Sequence, residues 1–113
     1  MTAVDEGVLR GLLDDMGGDR EVVRELIQSF LEEGPKLLAE GRAALVAGDV
    51  AEVQRAFHTL KSTAATFGAM PLADRAKEVE QAARGGALPT LQAVGEIAAM
   101  FEAAKAELLR RLG

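Results

Sequence analysis

The sequence has no cysteine, no tryptophan and no tyrosine, and one histidine among 113 residues. Without cysteine, disulfides and thiolate metal sites are excluded, and the redox compartment stays open. Aromatic bulk is limited to four phenylalanines although 49% of residues are hydrophobic, so Leu, Val, Ile and Ala must build the core. Positive charge is short as well: 13 Lys and Arg face 18 Asp and Glu, a formal net charge of −5. A nucleic-acid binder needs a basic surface to neutralise phosphates, so that class is set aside. No stretch reaches the roughly 18 consecutive apolar residues of a membrane span. The start, MTAVDEGVLRG, lacks the basic residues and apolar run of a signal peptide. The expectation is a soluble, cytoplasmic protein that binds neither nucleic acid nor membrane. Strand-like alternation, fixed-period repeats and linker-like tracts are also missing, so residues 1–113 read as a single domain. Nothing in the pattern demands a dimer, and a monomer is expected.

What is present is helical periodicity cut by glycine. Gly17-Gly18, Gly48, Gly68 and Gly85-Gly86 stand where helices should stop, and Asp19 and Asp49 follow as N-cap residues. Asp49 with Glu52 resembles a capping box. A short leading helix carries Val8, Leu9, Leu12 and Leu13. The next segment runs from Asp19 to about Ala47, with Val23, Leu26, Ile27, Phe30, Leu37, Leu38 and Leu45 on one side. Gly34-Pro35 interrupts it, but the apolar phase continues across the proline, which predicts one kinked helix and not two. In the third segment Val50, Val53, Phe57, Leu60, Ala64 and Phe67 step by 3, 4, 3, 4 and 3, a bundle-packing seam. A fourth segment places Leu72, Ala76, Val79 and Ala83 in register, and a last one carries Leu91, Val94, Ile97, Phe101, Leu108 and Leu112. Short connections favour antiparallel neighbours. The predicted fold is all-α: an antiparallel four-helix up-and-down bundle with a short additional N-terminal helix.

The lone histidine, His58, lies roughly 130° from the centre of the third seam, so it faces away from the core or sits at its edge. Gln54, Lys61, Ser62 and Ala65 share its side, and Ala51 lies one turn further back. A lone exposed histidine is often incidental, so its chemistry has to be argued. Zinc needs several His or Cys ligands, and this chain offers one. A Ser-His-Asp triad needs an activated serine, and Ser62 has no evident oxyanion loop. The remaining option uses the imidazole itself as nucleophile toward a phosphoryl group, since near pH 7 part of such a population is neutral. Lys61 then offsets phosphoryl charge, and small neighbours leave room for a partner. Only this option uses all the nearby residues. Folding the next hairpin at Ala69 brings position 58 level with Glu80, each eleven residues from the bend. Glu80 lies about 70° off its own seam, near the inter-helix border. There it either accepts a ring hydrogen and orients the imidazole, or is a solvated glutamate paired with Lys77 or Arg84. Spacing alone leaves both readings standing.

His58-Thr59-Leu60-Lys61-Ser62-Thr63-Ala64, followed by Phe67-Gly68-Ala69, resembles the signature of histidine-containing phosphotransfer (HPt) domains. These are four-helix bundles that relay phosphoryl groups in two-component signalling. The likeness covers nearly the whole chain, including the proline-containing second helix, the Ala47-Gly48-Asp49 turn and the Glu80-to-Arg84 end of the fourth helix. It implies that His58 is phosphorylated, exchanging its phosphoryl group with the aspartate of response-regulator receiver domains. A sensor or hybrid histidine kinase stands upstream. Lys61 matches the family lysine beside the phosphoryl group. Ser62 occupies a position where glycine is commoner. Glu80 falls where many relay members have glutamine, whereas the similar phospho-acceptor domain of chemotaxis kinases has a glutamate that hydrogen-bonds the histidine. The resemblance further implies no cofactor or metal on this chain, because the receiver brings its own magnesium ion. Docking is expected on Ala51, Gln54, Ser62 and Ala65, with residues of the second helix. Two alternatives remain: the acceptor domain of a larger kinase, and a helical adaptor that is never phosphorylated. An autonomous enzyme is disfavoured, as the sequence has neither a nucleotide-binding loop nor a metal cluster.

Overall fold

A computed structural model describes residues 2–112. It contains five helices: α1 (Glu6–Asp15), α2 (Arg20–Ala47), α3 (Val50–Thr66), α4 (Met70–Arg84) and α5 (Leu91–Leu112). No strand occurs among the described residues, so the chain is all-α. No helix is long and apolar enough to cross a membrane among the described residues.

Helix ends follow the local chemistry. The carboxylates of Asp5, Asp19 and Asp49 accept hydrogen bonds from first-turn N–H groups of α1, α2 and α3. The capping box is only half formed. Glu52 N–H donates to Asp49 Oδ1 at 3.1 Å, but the Glu52 carboxylate turns away to Arg55. Gly48, with φ of 72°, ends α2 in the left-handed conformation that glycine adopts most readily.

Pro35 is accommodated in a continuous α2, as the unbroken apolar phase predicted. Its ring is exposed, whereas the glycine before it faces inward. A Cβ at Gly34 would lie 2.1 Å from Phe101 Cε1, and one at Gly41 would lie 2.8 Å from Phe57 Cε2. Two glycines seven residues apart thus let rings of α5 and α3 press against the α2 backbone. Phe30 stacks on Phe67 with centroids 5.0 Å apart and meets Phe101 edge-on at 5.5 Å.

Helix α3 packs against α2 and α4, α5 packs against α2 and α4, and α1 covers part of α2 and α3. Two expected core positions are corrected. Leu26 and Leu91 are exposed, because Leu26 lies on the margin of the α2 buried stripe and Leu91 is the first residue of α5. Conversely Ala56, Ala73 and Val4 are buried without having stood in the seams. Just after Val4, the Asp5 N–H donates to the Gly68 carbonyl at 2.7 Å. Gly68 has φ of 76°, and a Cβ there would stand 2.7 Å from the Asp5 carbonyl oxygen. The N-terminal segment therefore buttresses the α3–α4 turn that sets the register of the two site-bearing helices.

Candidate functional site

His58 sits in the middle of α3 with its side chain 56% exposed, off the buried stripe as its angle predicted. Its ring is nonetheless fixed. Nδ1 lies 2.5 Å from Glu80 Oε2 of α4. Lys61 Nζ donates to both oxygens of the same carboxylate, at 2.9 Å to Oε1 and 3.2 Å to Oε2. Arg84 Nη2 stands 3.6 Å from Oε1, one turn further along α4. The site is one buried carboxylate surrounded by three basic side chains from two helices.

Glu80 is 2% exposed, which removes the solvated alternative. Its partners are His58 and Lys61 across the helix interface; Arg84 stands beyond hydrogen-bond range, and no pair with Lys77 forms. Burial pushes the Glu80 carboxyl up, but hydrogen bonds from Lys61 and His58, with their charges, outweigh it and hold the group below its ordinary range. The carboxylate is therefore ionised at neutral pH and acts as an acceptor. The ring nitrogen facing it must carry the hydrogen, so in the neutral ring Nδ1–H donates and the lone pair is on Nε2.

Close approach of α3 and α4 explains why a residue off its own seam is interior. The two helices make the most extensive contact in the molecule. Small buried residues line both helices: Ala56 and Ala64 on α3, Ala73, Ala76 and Ala83 on α4. Alanines at such positions bring backbones together and draw Glu80 inside. Of these, Ala64, Ala76 and Ala83 stood in the predicted seams, whereas Ala56 and Ala73 did not.

The candidate partner residues divide by exposure. Ala51 and Ser62 are exposed, and Gln54 and Ala65 are half-buried. On the other flank, Arg55 bridges α3 to α2, with Nη2 2.8 Å from Glu52 and 3.5 Å from Glu40. Sequence reasoning missed this cluster, because the α2–α3 register is invisible in either helix alone. No group of acidic, His or Cys residues able to hold a metal ion occurs among the described residues.

The sequence model of the Hpt domain matches residues 25–107. The chain belongs to the Hpt domain family. The match includes His58, Lys61, Glu80 and Arg84 and begins beyond α1. The structure is similar to that of histidine-containing phosphotransfer protein B (HptB) from Pseudomonas aeruginosa PAO1. The two share 25% sequence identity with a TM-score of 0.88, covering 97% of this chain and 94% of that one. No curated protein matches the sequence significantly. The protein is thus an all-α Hpt domain, a phosphorelay carrier in two-component signal transduction.

Proposed function

We propose that His58 is the residue that carries the phosphoryl group, with Nε2 as its nucleophile. The observation that carries this reading is the Nδ1 to Glu80 contact at 2.5 Å, which fixes the ring with the other nitrogen outward. In the forward step the Nε2 lone pair forms a P–N bond as the P–O bond to a receiver aspartate breaks, and the aspartate leaves as carboxylate. The ring keeps its Nδ1 hydrogen and becomes positively charged. The Glu80 carboxylate stabilises that charge as it develops, an electrostatic contribution already oriented before the reaction. The reverse step regenerates a neutral imidazole as leaving group, so the same arrangement serves donation.

Lys61 is 26% exposed and rests on Glu80, from which its flexible stem can turn toward phosphoryl oxygens. In this reading the chain supplies a nucleophile and a docking surface. It holds no cofactor of its own, and the magnesium ion belongs to the receiver. The packing pairs fit a single domain in which α2 to α5 form an antiparallel up-and-down bundle and α1 is an addition. The docking face comprises Ala51, Gln54, Ser62 and Ala65 with neighbouring α2 residues, in a contact small enough to be transient. Its partners are receiver domains and an upstream sensor or hybrid kinase, met by a monomer in the cytoplasm.

The test is transfer from a phosphorylated receiver, followed with radiolabelled phosphate. The wild-type chain should acquire acid-labile label, and His58→Gln should acquire none while keeping its helical circular dichroism. Label surviving in His58→Gln would remove His58 from the mechanism. A second reading, the acceptor domain of a larger kinase, is favoured by one observation: the residue holding the ring is a glutamate, as in the similar chemotaxis-kinase domains. Labelling by a candidate kinase and ATP, without any receiver present, would support it.

A further inference from the structure

Away from His58, α1 and the first turns of α2 enclose an open groove of about 500 Å³, completed by Arg111 and Leu112 at the end of α5. Its floor is aliphatic. Leu9 and Leu13 come from α1, Val23 and Ile27 from α2, each pair at i, i+4 spacing. Its rim is basic. Arg10, Arg20, Arg24 and Arg111 line it against a single acidic residue, Glu6, in a chain whose net charge is −5.

Four of the nine arginines thus converge on one apolar groove of an acidic protein. Arg111 pairs with Glu6 across this rim. Arg10, Arg20 and Arg24 form no ion pair with a carboxylate among the described residues. Guanidinium groups suit carboxylate and phosphate oxygens in particular, through bidentate hydrogen bonds.

The groove is separate from the phosphotransfer site. They share no residue, and of the groove lining only Ile27 falls within the residues matched by the Hpt family. Phe67, which caps the C-terminus of α3, stacks on Phe30 of α2, just past the groove; His58 lies nine residues back, about 14 Å by helical rise.

From these features we propose that the α1–α2 groove binds a small amphiphilic anion, with its alkyl body on the leucine floor and its carboxylate or phosphate head on the arginines. Size favours a small molecule over a peptide helix. Each wall is about two turns long, some 10 Å, which leaves a docked helix few anchors. A volume near 500 Å³ falls instead among small-molecule sites, where an apolar lining and a few charged groups divide the work. The proposal is independent of the phosphorelay reading.

Decyl phosphate, kept below its micelle concentration, is the probe, titrated into the full ¹⁵N-labelled chain and followed by amide shifts and calorimetry. Saturable binding is expected, with shifts centred on residues 6–13 and 20–27. Arg20→Gln combined with Arg24→Gln should weaken it by about tenfold or more, since two charge-assisted contacts are lost. Arg42→Gln, which removes an α2 charge outside the groove, should leave it unchanged. Circular dichroism separates lost binding from lost folding, and Val23→Asn, which makes the floor polar without changing its charge, should weaken binding as well. Equal affinity for decyl maltoside would overturn the proposal, because the arginines would then be irrelevant. So would shifts scattered over the surface, or saturable binding of an acidic amphipathic peptide where decyl phosphate has none.

Discussion

Two ionic clusters flank the same histidine helix, and they differ in one property. On the α2 side, Arg55 joins Glu52 and Glu40, with all three side chains about half exposed. On the α4 side, Lys61 and His58 converge on Glu80, which is 2% exposed. The distances are alike, since the shortest Lys or Arg contact is 2.8 Å in one cluster and 2.9 Å in the other. Water offers the Arg55 cluster an equivalent partner at every moment, so the pairs are weak and readily exchanged. Glu80 has no such alternative, and an unpaired buried carboxylate is expensive. Its geometry is therefore imposed on whatever pairs with it. Burial, more than proximity, distinguishes the carboxylate that contacts the imidazole.

The largest expected effect follows from removing the group being aimed. His58→Gln should abolish phosphoryl transfer and leave the fold intact, because the side chain is more than half exposed and packs little. Next comes the aiming group. For Glu80→Ala we expect phosphorylation of His58 to slow on the order of ten- to a hundredfold, as the ring loses its orientation. Stability should fall by about 2 kcal/mol, less than for a fully buried pair because Lys61 and His58 can turn to water. Stopped transfer assays and urea unfolding measure the two separately. Unchanged rates in Glu80→Ala would show that burial of the carboxylate does not position the ring.

The acid range sharpens the contrast. The Glu80 carboxyl is depressed in the folded state from its ordinary value of 4.5. A group lowered on folding stabilises the protein above its unfolded value and loses that contribution as pH falls through the folded one. The stability gap between wild type and Glu80→Gln should thus be constant at neutral pH and narrow below about 4.5. Unfolding midpoints collected from pH 7 to pH 3 test this; a gap that does not narrow would mean that Glu80 has the same proton affinity folded and unfolded.

How much of this was legible in the sequence depends on which forces write it. Helix bounds followed from glycines, aspartate caps and spacings of three and four, all of them local. Continuity through Pro35 also followed, because the apolar phase ran on across it. The half-formed capping box did not, since Glu52 chose Arg55, its neighbour one turn on, over the backbone behind it. Within the site, the outward position of His58 was an angle on a single helix and could be read directly. The Glu80 contact depends on how close two helices approach, which neither helix records alone. Hairpin counting placed the residues level, but only the packed structure put the carboxylate inside. The Arg55 bridge and the arginine groove join segments distant in sequence and left no local trace.

A smaller effect concerns which cation holds Glu80. Lys61 contacts both carboxylate oxygens, whereas Arg84 stands 3.6 Å from one of them with its side chain 63% exposed. Arg84→Gln alone should barely change transfer rates in the resting protein. With Lys61→Gln already present, Arg84 becomes the only Lys or Arg close to the carboxylate, and its loss should weigh more. The pair should therefore be non-additive in a double-mutant cycle read by unfolding and by transfer rate. Strict additivity would mean that Arg84 does not share the carboxylate.

The smallest expected effect lies across the helix. Arg55→Ala removes three guanidinium–carboxylate hydrogen bonds to Glu52 and one to Glu40, against the three that Glu80 accepts. By contact number it would be the more damaging change. By exposure it should leave the unfolding midpoint and the rate of His58 phosphorylation where they were, with at most a reduced sensitivity to salt. Side-by-side unfolding of Arg55→Ala and Glu80→Ala therefore sets contact number against burial. A loss in Arg55→Ala equal to that in Glu80→Ala would mean that the α2–α3 bridge, and not the buried carboxylate, holds the histidine helix in place.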